Sequence, residues 1–223
     1  MADAIGEVLS LAVGVSLSPV PIMAVVLMLG TPAGRRNGPA FLAGWVIGLA
    51  VVGTLVLVAA GAAGASENGE PATWVEVLKL VLGALLLLMA ARQWRGRPRA
   101  GDAVELPKWM RTIDHFTAGR SLAIGAALSG INPKNLLLTV AAAAAVAQAG
   151  VSTGDEVVAM AVFVVVATLG PGIPVAIYFA LGERAARLLD ELKAWLGAHN
   201  AAIMAVLLLV FGAKLIGDGI ATL

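Results

Sequence analysis

Ser129-Gly130-Ile131-Asn132-Pro133-Lys134-Asn135 is a polar, helix-breaking stretch inside an otherwise apolar run of this chain. A helix over the whole run, 121–149, would be roughly 44 Å long, against roughly 30 Å for the hydrocarbon core of a bilayer. Lys134 therefore falls near the bilayer centre. Pro133 lacks a backbone N–H, so carbonyls near Ser129 and Gly130 lose their usual helical donor. The stretch predicts a broken transmembrane helix with a lysine at its midpoint.

The cost of that lysine allows two interpretations. A lysine at mid-membrane costs roughly 2.5 to 3.5 kcal/mol on insertion scales, and the centre is too far from either surface for a relaxed side chain to reach water. Lys134 either packs against backbone carbonyls for structural reasons alone or marks a substrate or ion site. The pattern favours the site.

The composition is that of a polytopic membrane protein. The chain has 223 residues, of which 60% are hydrophobic and 13% charged. Apolar segments can be marked off at approximately 3–30, 39–62, 74–91, 121–149, 156–181 and 200–220. Asp3 and Glu7 stand where a signal peptide would be basic, so the first segment is interpreted as a retained span. Cysteine is absent, which excludes disulfides and thiolate metal sites, and we expect no cofactor.

The basic residues predict the orientation. Twelve of the 15 Lys and Arg fall in three connections on one side of the predicted bundle: Arg35, Arg36, Arg92, Arg95, Arg97, Arg99, Lys108, Arg111, Arg120, Arg184, Arg187 and Lys193. The positive-inside rule places these connections in the cytoplasm and both termini outside, in a plasma-membrane protein. Lys79 with Glu76, and Lys214 with Asp218, are interpreted as interfacial pairs at the opposite face.

The two halves of the chain are alike. Ser18-Pro19-Val20-Pro21 in the first apolar segment aligns with Ser129 to Pro133 in the fourth, with a one-residue offset between the prolines. Paired breaks at corresponding depths indicate a transporter site. The predicted fold is an all-α membrane protein of six transmembrane helices in an inverted 3+3 repeat with broken first and fourth helices. The repeats are predicted at 1–92 and 118–223, joined by a basic linker at 93–117.

Three other segments carry structural predictions. Ala40, Gly44 and Gly48 recur every four residues, which favours close helix packing. A short interfacial helix is predicted from Pro107, with an apolar face of Trp109, Met110, Ile113 and Phe116, and beside it His115 is interpreted as a solvated residue rather than a proton relay. The stretch 188–195 is predicted to run along the cytoplasmic surface before the sixth span. Pro171 and Pro174 either line a cavity or kink the fifth span.

The predicted substrate site draws on both breaks and on the fifth span. It comprises Ser18, Pro19, Pro21, Ser129, Asn132, Pro133, Lys134, Asn135, Pro171 and Pro174. Half-helix N-termini and a lysine together favour an anionic group such as a carboxylate, phosphate or sulfate. No catalytic constellation is visible, so we do not expect an enzyme.

The same residues carry a family resemblance. Ser18-Pro19-Val20-Pro21 and Asn132-Pro133-Lys134-Asn135, in two three-span halves, resemble the lysine-exporter superfamily. Pro107-Lys108-Trp109-Met110, Gly119-Arg120 and the run from Asn132 to Leu138 are more similar to its GAP or sulfolipid-addressing (Sap-like) branch. The resemblance covers essentially the whole chain. It implies translocation of envelope lipids, glycolipids or small solutes, and it does not fix the substrate.

Three functions therefore remain open. The leading hypothesis is a transporter of an anionic envelope lipid or glycolipid; an exporter of amino acids or other small solutes is the alternative within the same class. A non-transporting scaffold for envelope lipid synthesis, docked through the basic 92–120 connection, belongs to a different class. The expected partners are membrane lipids and possible second copies of the chain in a homodimer, with no nucleic acid.

Overall fold

The described part of the chain is almost entirely helical. The computed structural model describes residues 2–67, 70–97 and 108–221. Its α-helices are α1 Ala2–Ser16, α2 Pro19–Leu29, α3 Gly34–Ala62, α4 Thr73–Arg95, α5 Ala118–Gly130, α6 Pro133–Gln148, α7 Thr153–Leu181 and α8 Ala185–Ala221. Two residues of β1, Ser66–Glu67, pair antiparallel with β2, Glu70–Pro71, in the α3–α4 connection. The prediction of a helical protein is confirmed, and this short hairpin was not foreseen.

Both predicted helix breaks are present. α1 ends at Ser16 and α2 begins at Pro19, with a bend of 54° between them. α5 ends at Gly130 and α6 begins at Pro133. Each new helix starts with proline at its first position, where a missing N–H costs nothing because the first turn has no intrahelical acceptor for it.

The long helices have the length and composition of membrane spans. In the described residues four single helices qualify, namely α3, α4, α7 and α8, and the bent α1–α2 pair makes a fifth. α5 and α6 are shorter, because the break at Asn132 divides the predicted fourth span. Large apolar side chains such as Leu55, Val58 and Val165 are exposed on the outer surface. The chain is a multi-pass helical membrane protein.

Two local predictions need correction. The stretch 188–195 belongs to α8, a continuous helix of 37 residues that also contains the predicted sixth span. The predicted interfacial helix is a 3₁₀ helix, Lys108–His115; Met110, Ile113 and Phe116 are buried in the protein core rather than available to lipid. Its predicted first residue, Pro107, lies outside the described residues, as do Arg99 and the rest of 98–107 in the linker.

The helices pack closely where small residues meet backbone. α3 packs against α5, α4 against α8, and α1 against both α6 and α7. A methyl group at Gly44 would overlap the carbonyl of Leu122, and one at Gly125 would overlap that of Phe41. The small-residue packing predicted for the second span is thus confirmed. These contacts bring α1 and α6, one from each half, to the centre of the molecule.

Candidate functional site

The two helix breaks meet at one place. Lys134, in the first turn of α6, donates from Nζ to the Gly14 carbonyl at 2.7 Å and to the Leu17 carbonyl at 3.2 Å. Ser18 Oγ lies 3.0 Å from Asn135 Oδ1. Residues more than a hundred positions apart therefore form one polar centre. We call the junction of these five residues the break junction.

Prolines explain which carbonyls are free there. In a helix the carbonyl of residue i accepts from the N–H of residue i+4. Pro19 therefore leaves Val15 without a donor, and Pro21 leaves Leu17 without one. Ser18 Oγ approaches the Val15 carbonyl at 2.6 Å, and Lys134 takes the Leu17 carbonyl.

The Gly14 carbonyl is freed by the turn itself. Its helical donor would be the Ser18 N–H, which instead donates to Ser16 at 2.8 Å. Lys134 Nζ donates to the Gly14 carbonyl in place of the Ser18 N–H. The cation therefore sits at the C-terminal end of α1, where carbonyl dipoles favour positive charge.

Asparagines organise the second half of the junction. Asn132 caps α6, its side-chain oxygen accepting from the Lys134 N–H at 3.1 Å. Asn135 Nδ2 donates to the Leu128 carbonyl at 2.9 Å, across the break from α6 to α5. Thr139 Oγ1 donates to the Asn135 carbonyl at 2.8 Å. These bonds fix the helix start from which Lys134 extends.

The charge at the junction is not matched by a carboxylate. The Lys134 residue is only 1% exposed. Its two partners are neutral carbonyls, and among the described residues no acidic side chain forms an ion pair with it. An ammonium group has three N–H donors. The two carbonyls accept from two of them, and the described residues provide no acceptor for the third.

A family comparison covers this whole arrangement. The sequence profile of the family described as Sap, sulfolipid-1-addressing protein, matches residues 8–221. The chain belongs to this family. The match confirms the Sap-like part of the resemblance and includes both broken helix pairs. Comparisons with curated proteins and with solved structures gave no match.

The junction of this Sap-family protein contains only some of the predicted site residues. Ser18, Pro19, Pro21, Asn132, Pro133, Lys134 and Asn135 lie in or beside it. Ser129 is buried on α5 instead, where Oγ donates to the Ala126 carbonyl and faces Gly48 of α3.

The two prolines of the fifth span do not break it. Pro171 and Pro174 are buried within continuous α7. α7 meets the end of α1 at Gly170, where a methyl group would overlap the Ser16 carbonyl. The two earlier interpretations of these prolines, a kink and a cavity lining, stay predictions.

Sequence reasoning missed the acceptors Gly14 and Leu17 and the supporting Thr139. The signal for Leu17 was available, because Pro21 stands four residues after it. The free Gly14 carbonyl could not be predicted this way, because it depends on the Ser18 N–H donating to the Ser16 carbonyl instead.

A second polar cluster in this Sap-family protein corrects an earlier interpretation. Glu76 and Lys79 were predicted to be an ordinary interfacial pair, yet they are 1% and 4% exposed. Lys79 Nζ donates to Gln148 Oε1 at 2.7 Å and lies 3.7 Å from carboxylate oxygens of both Glu76 and Glu7. Gln148 Nε2 in turn donates to Glu76. The cluster is buried because α4 packs on α6, which the sequence of α4 alone does not reveal. The predicted Lys214–Asp218 pair is present on α8.

Proposed function

We propose that this Sap-family protein is a transporter that moves an anionic envelope lipid, glycolipid or small solute across the plasma membrane, with Lys134 at the substrate site. The carrying observation is the buried ammonium group of Lys134, which has neutral partners and one unused donor. Burying an uncompensated charge is costly, and functional sites are where such costs are retained. A phosphate, sulfate or carboxylate would supply the missing negative charge.

The starts of α2 and α6 strengthen this preference for an anion. Helix N-termini carry partial positive charge, and the N-termini of α2 and α6 adjoin the break junction at Pro19 and Pro133. The family description refers to a sulfolipid, and a lipid with an anionic sulfur-acid group belongs to the class that such a site would accept.

The proposed architecture is an inverted repeat of six spans, in which α1–α2 and α5–α6 each count as one broken span. Exchanging the halves maps α1, α2, α3 and α4 onto α5, α6, α7 and α8. The contact of α1 with α7 then corresponds to that of α5 with α3, and the contact of α2 with α8 to that of α6 with α4. This agreement supports two repeats related by an axis in the membrane plane, with the termini outside.

The largest contact that departs from the exchange supports alternating access. α1 packs against α6, whereas α2 and α5 have no comparable contact among the described residues. In the proposed orientation α1 and α6 form the outer halves of the two broken spans. In a transporter that works by rocking, one end state has the outer halves packed together and the inner halves apart. Contact between α1 and α6 without comparable contact between α2 and α5 corresponds to that state.

Leaflet-resolved lipidomics tests the proposal. Cells lacking the protein are complemented with wild type, Lys134→Met or the control Lys214→Met, which removes a lysine that is paired on α8. We expect an anionic lipid to accumulate in the inner leaflet of uncomplemented and Lys134→Met cells and to be restored by the other two. Full restoration by Lys134→Met would overturn the site. An unchanged lipid profile with altered amino-acid efflux would replace the lipid by a small solute.

A further inference from the structure

A separate cavity of about 540 Å³ opens beside the far end of α2. One wall is formed by the end of α2, the following turn and the start of α3; the other is formed by the end of α7 and the start of α8. This volume lies within the range of about 300–1,000 Å³ that is usual for ligand pockets. In the proposed orientation it lies on the basic, cytoplasmic side of the protein.

The walls of this cavity are amphipathic. Val26, Leu29, Phe179 and Leu189 supply apolar surface. Arg35 supplies a guanidinium group that no described residue engages in a hydrogen bond or ion pair. An apolar wall with a few convergent polar groups is the usual form of a binding pocket.

The charges around the cavity favour an anion. Arg35 lies in the first turn of α3, a 29-residue helix with no acidic residue in that turn and no side-chain cap, so the positive end of the helix dipole adds to the guanidinium charge. The carboxylate that lines the cavity, Asp190, is engaged by Lys193 at 2.7 Å. Tyr178 adds a hydroxyl group for which the described residues provide no partner.

We infer that this cavity binds an anionic lipid of the cytoplasmic leaflet, with the headgroup on Arg35 and an acyl chain along the apolar wall. A free anion has no apolar surface to bury against that wall, whereas an acyl chain does. Basic pockets between transmembrane helices on the cytoplasmic side suit anionic headgroups. Phe179 is 49% exposed, so the apolar wall is open towards its surroundings.

Its role as an entry site rests on the proposed function. α2 links the cavity to the break junction, because Leu29 lines the cavity and the helix begins at Pro19 beside Ser18. An 11-residue helix spans roughly 16 Å, a distance that a lipid headgroup would cross on its way to Lys134.

The test measures binding to the full-length protein in a neutral detergent. The probes are lysophosphatidylglycerol, lysophosphatidylcholine with the same acyl chain, and inorganic phosphate. Arg35→Gln removes the charge in the cavity, and its control is Arg36→Gln, at an exposed residue that does not line the cavity. Ala186→Phe fills the cavity, and its control is Ala194→Phe, at an exposed residue of the same helix.

We expect Arg35→Gln to weaken binding of lysophosphatidylglycerol by about tenfold, the loss of one charge-assisted contact, and to leave lysophosphatidylcholine unchanged. Ala186→Phe should weaken both lipids, the two controls neither, and phosphate alone should not compete. Equal effects of Arg35→Gln and Arg36→Gln, full binding to Ala186→Phe, or competition by phosphate would each overturn the inference.

Lys134→Met separates this inference from the proposed function. In the Lys134→Met background Arg35→Gln should still weaken lysophosphatidylglycerol binding about tenfold, because the break junction lies at the other end of α2 and does not hold a headgroup bound at Arg35. Absence of binding to any form of the protein would overturn the lipid cavity and leave the role of Lys134 in transport standing. Normal binding together with normal transport by Lys134→Met would overturn the proposed function alone.

Discussion

Lys134 has a feature of each of the two interpretations that the sequence left open. It donates to carbonyls freed in the other half of the chain, as a structural lysine would, and its third N–H has no acceptor among the described residues, as the proposed site requires. The earlier structural interpretation placed those carbonyls beside Pro133. The structure places them at Gly14 and Leu17, which makes Lys134 a link between the halves.

Substitution of Lys134 separates the two roles. Lys134→Met removes an intramembrane cation, a relief of roughly 2.5 to 3.5 kcal/mol, and leaves two carbonyls unpaired at about 1–3 kcal/mol each. These effects nearly cancel, so we expect a melting temperature close to wild type and a loss of transport of at least about tenfold. Lys134→Arg should retain part of the activity, because the charge remains while the guanidinium is broader. The measurement is transport per folded molecule beside thermal melting. A less stable Met variant with full transport would leave Lys134 a purely structural role.

Glu76 is expected to matter for folding. Removing one partner of a buried ion pair costs about 3–5 kcal/mol, whereas an exposed pair is worth about 0–1 kcal/mol. Glu76→Gln should therefore lower thermal stability well below that of Asp190→Asn, which disrupts an exposed pair with the same three-residue spacing on α8. Melting curves of the two variants in one detergent provide the comparison. Equal losses would mean that the cluster is solvated.

At the scale of helices, proline and glycine set different features. The prolines determine where helices begin, so α2 and α6 start at Pro19 and Pro133. The glycines determine how closely helices approach, as where Gly44 and Gly125 meet the backbone of a neighbouring helix. Pro171 and Pro174 show the limit of the first rule, because α7 continues through both.

The α3–α5 contact gives a prediction at this scale. Gly44→Ala should destabilise the protein by about 1–3 kcal/mol, because the added methyl group meets the Leu122 carbonyl and backbone must move. Gly61→Ala in the same helix meets nothing within 4 Å and should be neutral or stabilising by up to about 1 kcal/mol. Thermal melting of both variants checks this. A harmless Gly44→Ala would mean that the two helices are not in close contact.

At the scale of the whole molecule, orientation can be tested directly because the chain contains no cysteine. A cysteine at Ser152 should react with an impermeant thiol reagent added outside cells, whereas cysteines at Gly96 and Ala186 should be protected until the membrane is opened. This follows from the proposed cytoplasmic position of the basic connections. Asn68, a further site predicted to be outside, lies outside the described residues. The reverse labelling pattern would invert the topology.

The sequence by itself determined the features that depend on near neighbours. Apolar run length indicates membrane helices, a proline removes the donor four residues after a known carbonyl, and small residues every four positions mark a packing face. These rules located α3, α4 and α7 and the breaks near Ser18 and Asn132 without any tertiary information.

Only the tertiary structure decided which groups meet. Lys134 and Gly14 are 120 residues apart, and Gln148 and Glu76 are 72 apart. Whether a polar side chain is buried, and which acceptor it finds, depends on how α6 packs on α1 and α4. One sequence does not encode that packing in any local pattern, so the cluster at Lys79 looked like a surface pair. The partners of Lys134 became visible only once the two halves were brought together.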